Sequence, residues 1–213
     1  MSVLVKICGL KTPGMVDAAL DAGADMLGFV FFAKSPRHVT LDAAAALGAR
    51  VAGRARKVAL TVDADDAALD AILAALSPDL LQLHGKESPA RVAEIAARTG
   101  TPVMKALGVE TRADLAAAAD YAPHCASLLF DAKPPKGAVL PGGNGLPFDW
   151  TILADYDPGV PWMLSGGLTP ANVAEALRRT KAPGVDVSSG VESAPGVKDA
   201  GLIRAFVAAA RDA

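Results

Sequence analysis

Two short segments near the C-terminal end of the 213-residue chain are rich in glycine and serine. The first is Ser-Gly-Gly-Leu at 165–168, and the second, at 186–192, is a β-branched run that leads into Ser-Ser-Gly. Hydroxyl groups and exposed backbone N–H groups at such turns bind anions. The two segments lie one strand–helix unit apart. We expect them to bind the phosphate group of a substrate through Gly166, Gly167, Ser188, Ser189 and Gly190.

Strand-like and helix-like segments alternate along the whole chain. Ala/Leu-rich stretches separate the strand-like runs, and Thr12-Pro13 and Ser88-Pro89 are typical helix starts. Eight units of this kind predict one parallel sheet closed into a single-domain (βα)8 (TIM) barrel over residues 1–213. The Pro/Gly-rich stretch 133–147 predicts a long loop that replaces much of the helix after strand six. An open doubly wound sheet is the alternative, but no GxGxxG motif follows the first strand. The eight apolar runs are 4–7, 26–31, 57–62, 80–84, 102–107, 127–131, 162–165 and 184–188.

Composition narrows the possible partners and the cellular compartment. A formal net charge of −2 gives no reason to expect nucleic acid or an anionic membrane as a partner. No apolar run approaches the roughly 18 residues of a membrane-spanning helix, and no signal peptide is evident at the N-terminus. The chain has two cysteines, too few for a disulfide scaffold. We therefore expect a cytoplasmic protein whose partner is a phosphorylated small molecule, and a monomer rather than a homodimer.

Polar residues fall on one face of several predicted strands. Because alternate side chains of a barrel strand point inward, residues two apart share a face. Any one of these polar residues could simply make a hydrogen bond within the core. Together they predict an active site at the C-terminal ends of the strands, where (βα)8 enzymes have it. The pairs with a common inward face are Lys6 with Cys8, Gln82 with His84, Leu129 with Asp131, and Asp186 with Ser188.

The chain resembles phosphoribosylanthranilate isomerases, which are (βα)8 enzymes of tryptophan biosynthesis. The resemblance covers essentially the whole chain, with the motifs in order and in one register. These motifs are Lys6-Ile7-Cys8-Gly9-Leu10, Gly28-Phe29-Val30-Phe31, Ser35-Pro36-Arg37, Gln82-Leu83-His84-Gly85, Phe130-Asp131-Ala132-Lys133, Gly143-Asn144-Gly145 with Phe148-Asp149-Trp150, Ser165-Gly166-Gly167-Leu168 and the segment 186–192.

The resemblance implies an Amadori rearrangement of N-(5-phosphoribosyl)anthranilate that needs an acid and a base but no cofactor and no metal. Asp131 matches the general acid, and burial beneath the substrate would favour its protonated form. Cys8 matches the base, and a thiolate at neutral pH requires a pKa below the ordinary value of about 8.5. Lys6, on the same face, could supply the positive charge for this. Cys125 is expected at the opposite end of the barrel, so both cysteines should be free.

Further residues match the substrate-binding set of the family. Arg37 matches the ligand of the anthranilate carboxylate, for which its planar fork is suited. Gln82 and His84 are expected to line the pocket, without a proton-transfer role for His84. The loop residues Gly142, Gly143, Asn144 and Gly145 are expected to cover the substrate.

Two other functions remain open at this point. One is a Schiff-base lyase of the aldolase type that uses Lys105 or Lys133. The other is a non-catalytic phosphosugar-binding barrel, against which stands the presence of both an acid and a base.

Overall fold

Eight parallel strands among the described residues form a closed barrel in which β1 is paired with both β2 and β8. The computed structural model describes residues 2–133, 137, 142 and 148–213. Each predicted apolar run overlaps one strand, so the predicted (βα)8 architecture is confirmed. The barrel strands are β1 (Leu4–Cys8), β2 (Met26–Phe31), β3 (Arg56–Thr61), β4 (Leu80–Leu83), β5 (Val103–Val109), β6 (Ser127–Ala132), β7 (Trp162–Leu164) and β8 (Gly184–Val187).

Helices connect successive strands and begin at polar caps. The side chains of Thr40, Asp65, Ser88 and Asp199 accept hydrogen bonds from backbone N–H groups of the first turn, which satisfies donors that have no partner within the helix. None of the described helices is long and apolar enough to cross a membrane. The helices are α1 (Pro13–Asp21), α2 (Leu41–Val51), α3 (Asp66–Leu76), α4 (Pro89–Thr99), α5 (Ala118–Tyr121), α6 (Val173–Thr180) and α7 (Ala200–Arg211).

Three of the strand–helix units are irregular. After β5, the four-residue α5 is flanked by the 3₁₀ helices Arg112–Ala117 and Ala122–His124. Most of the predicted loop 133–147 lies outside the described residues, and the described chain resumes with the 3₁₀ helix Trp150–Leu153 before β7. After β8 comes the 3₁₀ helix Ser189–Val191, and then an antiparallel hairpin of β9 (Glu192–Ala194) and β10 (Val197–Lys198). This hairpin precedes α7, and the alternation of apolar runs had not indicated it.

Apolar side chains pack on both sides of the strands. The outward-facing residues form one large cluster with the helices, and Phe130 at its centre is fully buried. The inward-facing residues Met26, Val58, Leu80, Met104, Ala106, Leu129 and Met163 fill the barrel interior. Nearer the C-terminal ends of the strands, the apolar filling is reduced to Cys8, Val30 and Leu60. Polar side chains can therefore face an opening at that end.

We expect Phe130→Ala to lower the free energy of unfolding by about 3–5 kcal/mol, because it removes a large fully buried ring. The ring also makes edge-to-face contacts with Tyr156 and Trp162, with centroids 5.7 Å and 5.6 Å away. Urea denaturation measures the loss. Leu41→Ala is the control, because that side chain is 40% exposed and its loss should cost under about 1 kcal/mol. Equal losses for the two variants would contradict the packing described here.

Candidate functional site

An open pocket of about 800 Å³ lies at the C-terminal ends of the barrel strands. The barrel brings together residues that are far apart in the sequence, as strand parity predicted. Gly143, Asn144 and Gly145, which were predicted to cover the substrate, lie outside the described residues. The predicted site residues that line the pocket are Cys8, Arg37, His84, Asp131, Gly142, Gly166, Gly167, Ser188, Ser189 and Gly190.

Cys8 ends β1 and is only 3% exposed. Gly28 on the adjacent strand makes room for it, since a Cβ at Gly28 would lie 2.9 Å from the Cys8 sulfur and 3.2 Å from Lys6 Nζ. Burial raises the pKa of the Cys8 thiol, Lys6 lowers it, and Asp186 raises it again. The net direction is upward, so Lys6 does not supply the lowering that a thiolate at neutral pH requires. Desolvation outweighs the nearby lysine.

The positive charge of Lys6 is itself engaged. Lys6 Nζ donates to Asp186 Oδ1 at 2.8 Å, and the two side chains are 0% and 6% exposed. Burial lowers the pKa of Lys6, but the charges of Asp186 and Cys8 outweigh this and raise it. Lys6 therefore stays charged inside the barrel.

Asp131, near the end of β6, is held by its own backbone and by His84. Its Oδ1 accepts a hydrogen bond from the Ala132 N–H at 2.9 Å, and its Oδ2 lies 3.3 Å from His84 Nε2. Gln82 Nε2 lies 3.1 Å from His84 Nδ1. A neutral ring that accepts at Nδ1 from the Gln82 amide presents its Nε2–H to the Asp131 carboxyl group. The site thus contains a chain of three polar groups from β4 to β6.

The prediction that Gln82 lines the pocket is wrong. The side chain is fully buried beneath the pocket wall, and it contacts His84 instead. Strand parity placed it on the inward face correctly. Parity alone does not give exposure, and Gln82 is fully buried and does not border the pocket.

Gly142 lies directly against the acid and the imidazole. A Cβ at this position would be 2.5 Å from Asp131 Oδ2 and 2.6 Å from His84 Nε2. Only glycine fits such a close approach of the backbone. That this loop covers the substrate stays a prediction.

The two glycine-rich turns pack against neighbouring backbone. Gly166 and Gly167 adopt φ values of +89° and +66°, which favour glycine, and a Cβ at Gly166 would lie 2.6 Å from the Ala132 nitrogen. A Cβ at Gly190 would overlap the carbonyl oxygen of Leu168. The turns after β7 and β8 therefore touch each other, and both border the pocket as predicted.

The Ser188 hydroxyl already has partners in the ligand-free protein. It donates to the Cys8 carbonyl oxygen at 3.1 Å and accepts from Lys198 Nζ at 3.2 Å. Its proton is therefore directed at the Cys8 carbonyl oxygen, and the Ser188 hydroxyl has no proton to donate into the pocket in this arrangement.

Arg37 lines the pocket, but one edge of its guanidinium group binds Glu192. Nε donates to Glu192 Oε1 at 2.7 Å, and Nη2 donates to Oε2 at 2.8 Å. Burial alone would raise the pKa of Glu192, but Arg37 and Lys198 lower it to about 2. In the sequence, Glu192 was identified only as the last residue of a motif. Lys198 was not identified, because no local sequence pattern marks it.

The two lysines of the Schiff-base alternative are both in ion pairs. Lys105 points away from the barrel interior and donates to Glu87 Oε2 at 2.8 Å. Lys133 borders the pocket and pairs with Asp114 at 3.1 Å. Cys8 and Cys125 are both free, as predicted. Within the described ranges, no three His, Cys, Asp or Glu side chains are grouped so that they could hold a metal ion.

A closed eight-strand barrel with a carboxyl group, a thiol and two glycine-rich turns around one C-terminal pocket is a (βα)8-barrel enzyme. Residues 5–209 match the family model of N-(5'-phosphoribosyl)anthranilate (PRA) isomerase. The chain belongs to this family, which confirms the resemblance seen in its motifs.

Relatives and solved structures agree with this assignment. The N-(5'-phosphoribosyl)anthranilate isomerase of Nitrobacter hamburgensis is 63% identical over 213 residues, which are 100% of this chain and 95% of that protein. A crystal structure of a phosphoribosyl anthranilate isomerase in complex with reduced 1-(o-carboxyphenylamino)-1-deoxyribulose 5-phosphate is 31% identical, with a TM-score of 0.86 over 99% of this chain and 100% of that one. A structure of monomers of the dimeric enzyme from Thermotoga maritima is 32% identical, with a TM-score of 0.85 and the same coverage.

We expect the reaction of Cys8 with iodoacetamide to accelerate with pH and to have its midpoint above about 8.5, the ordinary value for a thiol. Burial raises the pKa of Cys8, so the reactive thiolate forms only at higher pH. The rate is measured by mass spectrometry in a Cys125→Ala background, because Cys125 is also free. A midpoint at or below that of a small thiol would contradict the dominance of burial.

Proposed function

We propose that Cys8 and Asp131 are the base and the acid with which this chain isomerises N-(5-phosphoribosyl)anthranilate in tryptophan biosynthesis. The observation that carries the proposal is the position of these two side chains. They come from β1 and β6 and border one pocket together with the two glycine-rich turns. Family membership supports the reaction, and the arrangement supports the roles.

The first step opens the sugar ring. Asp131 donates its proton to the furanose ring oxygen, the bond from C1 to that oxygen breaks, and the nitrogen lone pair forms a protonated Schiff base. The His84 Nε2–H beside Asp131 Oδ2 then stabilises the carboxylate that remains. His84 orients the acid in this scheme and transfers no proton.

The second step removes the proton from ribose C2. The Cys8 thiolate takes that proton, and the electron pair forms the enolamine by neutralising the iminium group. Tautomerisation protonates C1 and deprotonates the C2 hydroxyl, which gives the aminoketose 1-(2-carboxyphenylamino)-1-deoxy-D-ribulose 5-phosphate. The rearrangement has no net redox change, and as proposed it proceeds without a cofactor.

The two anionic ends of the substrate suit the two sides of the pocket. The backbone N–H groups of the turns at Gly166, Gly167 and 188–190 are placed to bind the phosphate. We infer that Arg37, which also borders the pocket, binds the anthranilate carboxylate. This orientation brings the ribose between Cys8 and Asp131.

We also propose that the protein is a cytoplasmic monomer. Two free cysteines suit a reducing compartment. Among the described residues, the exposed large hydrophobic side chains are Leu4, Leu41 and Val197, which lie on three separate elements. They support no extended apolar interface of the kind that obligate dimers bury. A dimer mass in light scattering at micromolar concentration would contradict this.

We expect Asp131→Asn and Cys8→Ser each to reduce kcat by at least ~100-fold, the usual scale for the loss of an acid or a base. Both changes conserve size, so the fold and the affinity for the reduced product analogue should be retained. Turnover is followed by the fluorescence of the anthranilate substrate, and binding by calorimetry. Asp120→Asn, an exposed change on α5, is the control. Near-normal turnover in a folded Asp131 or Cys8 variant would remove that residue from its role.

We expect Arg37→Ala to weaken binding of the reduced product analogue by ~10–100-fold, the worth of a lost charge-assisted hydrogen bond. An analogue that lacks the benzoate carboxylate should lose little affinity. Calorimetry with both ligands makes the comparison within one variant, so any destabilisation caused by the loss of the Glu192 pair affects both alike. Equal losses would mean that Arg37 supports the pocket wall and does not bind the carboxylate.

A further inference from the structure

A buried polar network connects the hairpin after β8 to both sides of the pocket. It consists of Arg37, Ser188, Glu192 and Lys198, and we call it the hairpin network. The side chains of Arg37, Glu192 and Lys198 are 8%, 4% and 1% exposed. Its members come from the loop after β2, the turn after β8, and the strands β9 and β10.

Lys198 is the centre of the hairpin network. Its Nζ donates to the Ser188 carbonyl oxygen at 2.9 Å, to Ser188 Oγ at 3.2 Å and to Glu192 Oε1 at 2.7 Å. These three hydrogen bonds use all the donors of an ammonium group. Lys198 thereby fixes the direction of the Ser188 hydroxyl, which can only donate onward to the Cys8 carbonyl oxygen.

Glu192 connects Lys198 to Arg37 through hydrogen bonds. Its Oε1 accepts from both Lys198 Nζ and Arg37 Nε, each at 2.7 Å, and its Oε2 accepts from Arg37 Nη2 at 2.8 Å. Two cations thus share one carboxylate, which leaves a formal charge of +1 beside the pocket. A second bond from the Gly196 N–H to Oε2, at 3.1 Å, anchors the carboxylate to the hairpin itself.

A purely structural role accounts poorly for a lysine at this position. Taking an ammonium group out of water is costly, and an apolar side chain of similar volume usually supports a fold as well or better. Burial lowers the pKa of Lys198, and Glu192 raises it again only in part, so the net direction of this pKa is downward. A buried cation kept beside Cys8 favours the thiolate, which the proposed reaction needs and which burial of Cys8 disfavours.

We propose that Lys198 is a positioning residue for the isomerisation, holding Arg37 through Glu192 and the turn after β8 through Ser188, and adding positive charge beside Cys8. This inference rests on the proposed function. It assigns to the hairpin a part in the reaction, although Lys198 is not among the residues that border the pocket.

The reactivity of Cys8 tests the charge directly and needs no turnover. The charged groups that act on Cys8 are Lys6 from β1, Asp186 from β8 and Lys198 from β10. In Lys198→Met, the rate of alkylation of Cys8 by iodoacetamide at pH 8 should fall by roughly threefold or more, because less thiolate forms. Lys198→Arg keeps the charge and should stay within about twofold of the unmodified protein.

Turnover and binding test the positioning. Lys198→Met should reduce kcat/KM by at least ~10-fold, since small displacements of substrate-positioning groups cost this much or more. The change should also weaken binding of the reduced product analogue more than binding of the analogue without a carboxylate, because Arg37 is less well held. Lys198→Arg should restore most of both. Should Lys198→Met not fold, Lys198→Gln replaces it, since its amide can still donate to Ser188.

Lys105→Met is the control for loss of a buried lysine. Lys105 is 2% exposed and pairs with Glu87, but it faces away from the barrel interior. The Lys105→Met substitution should lower the stability of the protein without slowing the alkylation of Cys8. A folded Lys198→Met or Lys198→Gln protein with normal alkylation and normal kcat/KM would overturn the inference. If the unmodified protein lacked turnover, the proposed function would fail, while the alkylation rates would still decide whether Lys198 acts on Cys8.

Discussion

The parallel pairing of β1 with β8 closes the barrel, and the chemistry of the pocket depends on that closure. In this register Lys6 is opposite Asp186, and the two inward side chains form an ion pair. Either charge alone would be costly to bury in the barrel interior. The same register places Cys8 at the level where β8 gives way to the Ser188 turn, so that a hydrogen bond joins the first strand to the last. Residues about 180 positions apart thereby become neighbours.

Buried lysines occur at several places in this barrel. Three of them, Lys6, Lys105 and Lys198, each contact one carboxylate at 2.7–2.8 Å. Lys105 stabilises the chain after β4, since its ammonium group also binds two backbone carbonyl oxygens there. Lys6 and Lys198 instead both lower the pKa of Cys8 through their charge. The same type of ion pair thus stabilises the chain after β4 at Lys105, whereas at Lys6 and Lys198 it holds a charge that acts on Cys8.

The sequence predicted the elements well because their signals are local. Eight apolar runs and the alternation of side chains were enough to place Cys8, Asp131 and the two glycine-rich turns around one pocket. Depth and desolvation were not predictable in this way. Gln82 shares the inward face of His84 yet is fully buried and does not border the pocket, and burial raises the pKa of Cys8 more than Lys6 lowers it.

The hairpin network lay beyond the reach of sequence reasoning for a physical reason. Its strands contain three and two residues, too few for a period-two pattern to be visible. One of its hydrogen bonds joins Arg37 to Glu192, which are 155 positions apart in the chain, and no local rule predicts such a pair. The Gly/Ser motif that precedes it was visible because turn chemistry depends on adjacent residues.

The bond between Arg37 and Glu192 also limits how this enzyme can be rebuilt. Barrels of this fold owe their versatility to loops that vary separately on a constant frame. Here the loop after β2 and the hairpin after β8 share one buried charge pair, so replacing either loop alone would remove one member of that pair. Loop exchange with a relative must therefore transfer both segments together. For loop design, the two segments form one unit.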